Sequence, residues 1–462
     1  IRNIALLGHG SEGKTTLTEA MLFAAGMIDR QGKVEAGTTV TDFDAEENKR
    51  GISISAATAP VEWKGTKINL IDVPGYFDFI GEMMGPLRVV ETAAIVVGAV
   101  SGLTVGAEKA WAYAKKNNVC RMFIVNRMDA ENANYEKTIE QLREKFGSSV
   151  VPLMLPIGEG AKFTGVVNVL ENKAYSGKGK DLKEIPVPAD MAPAIENALA
   201  EITEAAAEAV DELLEKYFEE GELSHEEILQ GFSAGMKSGS IVPAVPVSAV
   251  TGVGVAKLLD VMSAYLHSPE EASFAGINPK NDEEIIREGK TSEPFSAFVF
   301  KTIADPFVGK LSMLRVCSGT LTSGTALYNS SCEKTEKAGG LFLLRGKNQL
   351  SVSQVSAGDI AALSKLQFTN TGDTLCDAAN PIRYEKISFP EPSVQKAVYA
   401  AKQGEEDKVF SGLARLQEED PSIRLEKNAE TTETILWGQG ELHLDVIRNK
   451  LQSKFGANAV LQ

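Results

Sequence analysis

Cysteine, histidine and positive charge are all in short supply in this sequence. Its 462 residues hold four cysteines, Cys120, Cys317, Cys332 and Cys376, spaced far apart and with no C-x-x-C pair. That spacing argues against a disulfide-stapled scaffold and a cysteine zinc site, and fits reduced thiols in a cytoplasmic protein. The formal net charge of −16 excludes nucleic-acid binding through a general basic field and leaves room only for a local basic patch. No apolar run reaches the ~18 residues that would cross a bilayer, and no secretory leader is read at the start, so no membrane association is expected. The chain opens on a core strand without an initiator Met, from which a trimmed N-terminus is expected. At this length a single core is excluded, and two to four domains are expected.

Glycine is not scarce, and its placement carries the first functional signal. Gly8-His9-Gly10-Ser11-Glu12-Gly13-Lys14-Thr15-Thr16 follows the apolar run 4–7 and precedes a helical pattern of Leu17, Met21, Leu22 and Ala25. This is G-x-x-x-x-G-K-T between a strand and a helix, the setting in which backbone N–H groups converge on phosphate oxygens. Lys14 is the candidate catalytic cation that reaches the outer phosphates, and the Thr15 hydroxyl is a candidate Mg²⁺ ligand. Residues 31–50 show no periodicity and read as a surface loop or a mobile switch segment. After Arg50-Gly51-Ile52-Ser53-Ile54, a second apolar strand, 68–71, ends in Asp72-Val73-Pro74-Gly75. A carboxylate at the end of a buried strand belongs with Mg²⁺, and the Gly75 N–H with a terminal phosphate.

The runs 93–97 and 122–125 read as buried parallel strands, the second followed by Asn126-Arg127-Met128-Asp129. The Asp129 carboxylate can accept from both the N1–H and the exocyclic amine of guanine. Adenine has no such donor pair, so ATP would leave the charge unpaired. Further on, Ser248-Ala249-Val250 closes another apolar strand, with the Ala249 N–H expected to face guanine O6.

In their order, Gly8 to Thr15, Ser53, Asp72-x-x-Gly75, Asn126-x-x-Asp129 and Ser248-Ala249 resemble the translational GTPases, elongation factor G most closely. The resemblance extends over essentially the whole chain. Residues 155–240 look like that family's insert in the GTPase domain. Ala304-Asp305-Pro306-Phe307-Val308-Gly309 and Ser318-Gly319-Thr320-Leu321 look like its barrel, and Gly438-Gln439-Gly440-Glu441-Leu442-His443-Leu444 like its third domain. The implied fold is an α/β P-loop GTPase domain with an α+β insert, then an antiparallel β-barrel and a ferredoxin-like α+β domain. The corresponding boundaries are 1–275, a linker at 276–292, 293–382 and 393–462. The family's two later domains are absent, and because the chain stops as a motif closes, a fragment of a longer protein is expected.

Three departures bear on mechanism. Tyr76 stands where the family has a His credited with positioning the attacking water, and a phenol does not become a cation at neutral pH. Ser11 replaces an Asp associated with a monovalent cation. Ser53 replaces the switch threonine and Arg127 a lysine, each keeping the group that matters, a Mg²⁺-binding hydroxyl and a long stem over the base. Tyr76 together with Ser11 resembles the divergent paralogues found beside the main factor in some bacteria.

The resemblance implies GTP or GDP with Mg²⁺. Lys14, Gly75 and Tyr76 are the candidate catalytic residues, and Thr15, Ser53 and Asp72 the metal-linked ones. Nucleotide contacts are expected from His9 through Thr16, Asn126, Arg127, Asp129, Ser248, Ala249 and Val250. The implied partners are the ribosome, through rRNA and stalk proteins, and the protein itself is expected to be a monomer. In the insert, Ile202, Ala206, Val210, Leu214 and Tyr217 form one stripe among acidic residues, read as a solvated amphipathic helix or, by resemblance, the stalk-docking surface. Leu442, Val446, Ile447, Leu451 and Phe455 form an apolar helix face, with His443 just off it in a structural or interdomain role. Two functions are carried forward: a GTPase acting in translation elongation with a low intrinsic rate, and a GTP-gated ribosome-associated regulator that hydrolyses slowly or not at all. A P-loop kinase or ATPase leaves Asn126 and Asp129 unexplained.

Overall fold

The computed structural model describes residues 1–305 and 309–462, so part of the barrel motif 304–309 lies outside the described residues. The chain divides into two compact units. One comprises residues 1–41, 59–72 and 90–267, the other 42–58, 73–89 and 268–462.

The first unit is built on a seven-stranded sheet. Its strands are β1 (Arg2–Leu7), β2 (Ala57–Trp63), β3 (Thr66–Asp72), β4 (Thr92–Gly98), β5 (Cys120–Asn126), β6 (Val150–Pro152) and β7 (Val242–Pro246), in the order β2-β3-β1-β4-β5-β7-β6. Ile4 to Leu7, Ile95 to Val97 and Met122 to Val125 are buried, as expected of parallel strands covered on both faces. The registers pair Leu6 with Asp72, Gly98 with Asn126 and Pro246 with Val125, all in parallel. That pairing brings the carboxyl ends of β1, β3, β4, β5 and β7 to one edge, where ligands bind in open α/β sheets. Between β6 and β7 lie a four-stranded sheet and the helices Ala192–Glu208, Asp211–Glu220 and His225–Ser238. The acidic stripe predicted as one helix is two. Val210, at φ −139°, is extended, and its carbonyl accepts from Leu213 and Leu214 to start the second helix. The periodicity carries across the break because Leu214 and Tyr217, half-buried on the second helix, fall in step with Ile202 and Ala206, buried on the first.

In the second unit, an eight-stranded antiparallel sheet and a two-stranded one close around Val299, Leu314, Val316, Leu341, Leu363 and Leu375. The stretch read as a linker carries an antiparallel hairpin, Ser273–Ile277 with Glu284–Glu288. A four-stranded sheet then carries the helices Glu406–Glu419 and Glu441–Phe455 in β-α-β-β-α-β order, the ferredoxin-like pattern. His443 is buried within it. Its Nδ1 accepts the Gln439 N–H at 3.0 Å, which places the proton on Nε2, donated to Asp420 Oδ2 at 2.7 Å. The role of His443 is therefore structural.

Residues 42–58 and 73–89 fold into this second unit. The charged run expected to lack structure forms the helix Ala45–Arg50, fixed by a capping box in which Asp44 accepts from the helix and Glu47 reaches back to the Asp44 N–H. Arg50 bonds Asp445, and Asn449 donates to Glu46 at 3.1 Å. Phe79 packs with Ile54 and Val446 and meets the His443 ring edge-on at 5.9 Å. Among the described residues no helix is long and apolar enough to cross a membrane.

Candidate functional site: a guanine nucleotide cleft

The loop after β1 needs glycine at two points. At Gly8, with φ +135°, a Cβ would lie 2.4 Å from the Val96 carbonyl oxygen. At Gly13, φ +86°, it would lie 2.6 Å from Asn126 Nδ2. Helix α1 (Lys14–Ala24) starts directly after Gly13 with no side chain capping its N-terminus. Its first N–H groups and its dipole therefore favour an anion. The Lys14 Nζ donates to the Gly8 oxygen at 3.0 Å and the His9 oxygen at 2.7 Å, so the ammonium is held on the loop it serves.

At the end of β3, Asp72 is 1% exposed. Burial pushes its carboxyl above the usual range, against hydrogen bonds from Thr41 and Thr15 and the charge of Lys14. Thr15 Oγ1 donates to Oδ2 at 2.8 Å and Thr41 Oγ1 to the same oxygen at 2.7 Å. The other oxygen, Oδ1, is buried without a hydrogen-bond partner among the described residues. A buried carboxylate oxygen with no donor, beside two hydroxyls and below a phosphate loop, fits a hard divalent cation with oxygen ligands. Mg²⁺ held here would rest on Asp72, with Thr15 and Thr41 beside it.

The base side is tied to the phosphate side by one residue. Asn126 Nδ2 donates to the Glu12 oxygen at 3.0 Å, and its Oδ1 accepts the Ala249 N–H at 3.0 Å. The N–H expected to face guanine O6 is thus donated to Asn126. Asp129 is half-buried, and its Oδ1 accepts from Ser248 Oγ at 2.6 Å. Ser248 Oγ also accepts the Thr251 N–H at 3.1 Å. Arg127, at φ +62°, donates from Nη2 to the Ser11 oxygen at 2.6 Å, laying its exposed stem along the phosphate loop. Lys14, Thr15, Asp72, Asn126, Asp129, Ser248 and Ala249 therefore stand together at the carboxyl edge of the sheet, joined by hydrogen bonds and by the loop that runs from His9 through Gly10, Ser11, Glu12 and Gly13 to Thr16. Val250 beside them is 72% exposed.

Three family models match in succession. "Elongation factor Tu GTP binding domain" covers residues 1–268, "Elongation factor G domain 2" residues 294–378, and "Elongation Factor G, domain III" residues 389–462. The chain belongs to the elongation factor G family of translational GTPases. A crystal structure of a protein from Thermus thermophilus is similar over 100% of this chain and 67% of that one, at 32% identity and a TM-score of 0.89.

The remaining expected site residues, Ser53, Gly75 and Tyr76, fall in the second unit. Tyr76 is 38% exposed and precedes the helical turn Phe77–Met83. Ser53 is half-buried between the helix Ala45–Arg50 and β2. Sequence reasoning missed Thr41, Glu19 and Gln31. Gln31 Nε2 donates to the Ala249 oxygen at 3.0 Å. All three act through contacts that lie far apart along the chain or within an aperiodic loop, where no motif spacing marks them.

Proposed function

We propose that this chain binds GTP with Mg²⁺, hydrolyses it to GDP and phosphate, and acts with the ribosome in the cytoplasm during translation elongation. The observation that carries this reading is the linkage of Asp129, Ser248, Ala249, Asn126 and Glu12 to the loop that holds Lys14. Asp129 pairs the two guanine donors, because Oδ1 keeps a second acceptor site beyond its bond from Ser248 and Oδ2 is not engaged by Ser248. The Arg127 stem covers the base. Lys14 and the loop N–H groups hold the β- and γ-phosphates. Asp72, with Thr15 beside it, would hold Mg²⁺, which would supply charge neutralisation to the polyphosphate. Phosphoryl transfer needs mainly positioning and charge stabilisation, so these groups support hydrolysis without a histidine. In this reading the terminal phosphate orders residues 31–54 and 72–85 and its loss releases them. The acidic insert, whose helix Asp211–Glu220 leaves Phe218 79% exposed, is the docking surface for ribosomal stalk proteins.

Tyr76 favours a second reading, a GTP-gated regulator that turns over slowly or not at all. Phosphate release with and without ribosomes, measured for wild type, Tyr76→His and Tyr76→Phe, separates the two. A low rate that Tyr76→His raises supports a GTPase tuned down at this position. Rates at the limit of detection in all three support the regulator. Equal affinity for GTP and ATP would remove Asp129 from its role and sink both.

A further inference from the structure

Glu19 lies on α1, one helical turn after Thr15, and is 1% exposed. Each of its carboxylate oxygens accepts one backbone N–H from the loop that follows the helix. Gly32 donates to Oε2 at 2.7 Å and Val40 to Oε1 at 2.6 Å. Residues 32–40 are thereby closed at the neck. Within the loop, the Lys33 N–H donates to Thr38 Oγ1 at 2.9 Å and the Thr38 N–H to the Lys33 oxygen at 3.2 Å. The neck is too tight for a side chain at Gly32, where a Cβ would meet the Thr38 oxygen at 2.4 Å and Glu19 Oε2 at 2.8 Å. Thr41 follows Val40 directly, and its hydroxyl reaches Asp72 Oδ2 beside that of Thr15. Two hydroxyls on Oδ2 fix the orientation of the carboxylate and leave Oδ1 as the buried acceptor without a partner among the described residues.

We infer that Thr41 is the hydroxyl this loop supplies to the metal-bearing carboxylate, and that Glu19 is the positioning residue that keeps it there. The inference rests on the Mg²⁺-nucleotide reading above. It differs from the assignment of that hydroxyl to Ser53 alone, twelve positions further on. Because Glu19, Gly32 and Val40 are all protein groups, the staple needs no terminal phosphate, so residues 32–41 stay in place with GDP and the release proposed above is narrowed to residues 42–54 and 73–85. Thr41 then acts on the retention of GDP and Mg²⁺, ahead of any effect on hydrolysis.

The test is the dissociation rate of a fluorescent GDP from the full chain as free Mg²⁺ is titrated. In wild type, Mg²⁺ slows release with a definable midpoint. Thr41→Val, which keeps the shape and removes the hydroxyl, is expected to raise that midpoint about tenfold or more, the usual cost of losing a group that orients a metal ligand. Thr41→Ser, which keeps the hydroxyl, is expected to restore it. An unchanged midpoint in Thr41→Val, or an equal shift in Thr41→Ser, overturns the inference. Should Thr41→Val fail to fold, Glu19→Gln carries the test. It offers one acceptor where two are needed, so it should raise the midpoint and speed hydrogen exchange at the Val40 amide. No change in either would overturn the assignment. Failure of the wild type to bind GDP at any Mg²⁺ concentration is a separate result, and removes the nucleotide reading itself.

Discussion

A Cβ at Gly8 would sit 2.4 Å from the Val96 carbonyl oxygen, at a φ of +135° that side chains rarely adopt. Gly8→Ala is therefore expected to destabilise the first unit by about 1–3 kcal/mol and to displace the loop carbonyls that hold Lys14. Equilibrium denaturation and GDP binding read the two effects separately. Asp129 follows a different logic, since it is half-buried and the bond its Oδ1 accepts from Ser248 Oγ is one that an amide oxygen accepts as well. Asp129→Asn should leave the fold intact and weaken GTP binding by at least about a hundredfold, because an amide puts a donor where guanine also presents donors. Titration calorimetry against GTP and ATP checks it, and a GTP affinity within a few-fold of wild type would exclude the role. Both residues were legible in the sequence because each sits at a fixed offset within a motif. Thr41 and Glu19 were not, since hydrogen bonds between distant segments leave no trace in spacing.

The helix Ala45–Arg50 shows where reading by element succeeds and fails. Six residues are too few for a hydrophobic period, so the run looked like loop. The signal that was present, Asp44 followed three residues later by Glu47, is a capping box. Asp44→Ala is expected to cost about 1 kcal/mol in the second unit. It should also speed exchange at the Ile54 and Ser55 amides, which Glu47 accepts at 3.0 Å each. Equal exchange in the two proteins would show that the cap does not hold this segment. The parallel strands were read correctly because their apolar runs are continuous, and the helix Glu441–Phe455 because its stripe is long. The insert helix was joined across residues 209–210 because one periodicity served two elements.

With two compact units, one global stability does not describe the molecule. GDP at a hundred times its dissociation constant should stabilise the unit that carries the cleft by about 2.7 kcal/mol. Acid should act on the other unit through Asp420. Burial works to raise this carboxyl, but hydrogen bonds from His443 and Ser422 hold it down to about 2. A carboxyl lower in the folded state stabilises that state above its unfolded value, and the stabilisation fades as pH falls through about 2. At neutral pH it is on the order of 2 kcal/mol. Asp420→Asn should remove it and flatten the acid limb of the stability curve, as followed by the Trp437 emission.

Asn126 bonds the Glu12 oxygen with one end of its amide and the Ala249 N–H with the other. In the function proposed above, a mutation there should therefore disturb recognition of the purine and grip on the polyphosphate together. Inorganic triphosphate, which carries no ring at all, should bind more weakly to Asn126→Ala than to the intact protein, so a compound lacking a base would report on a residue usually credited with reading one.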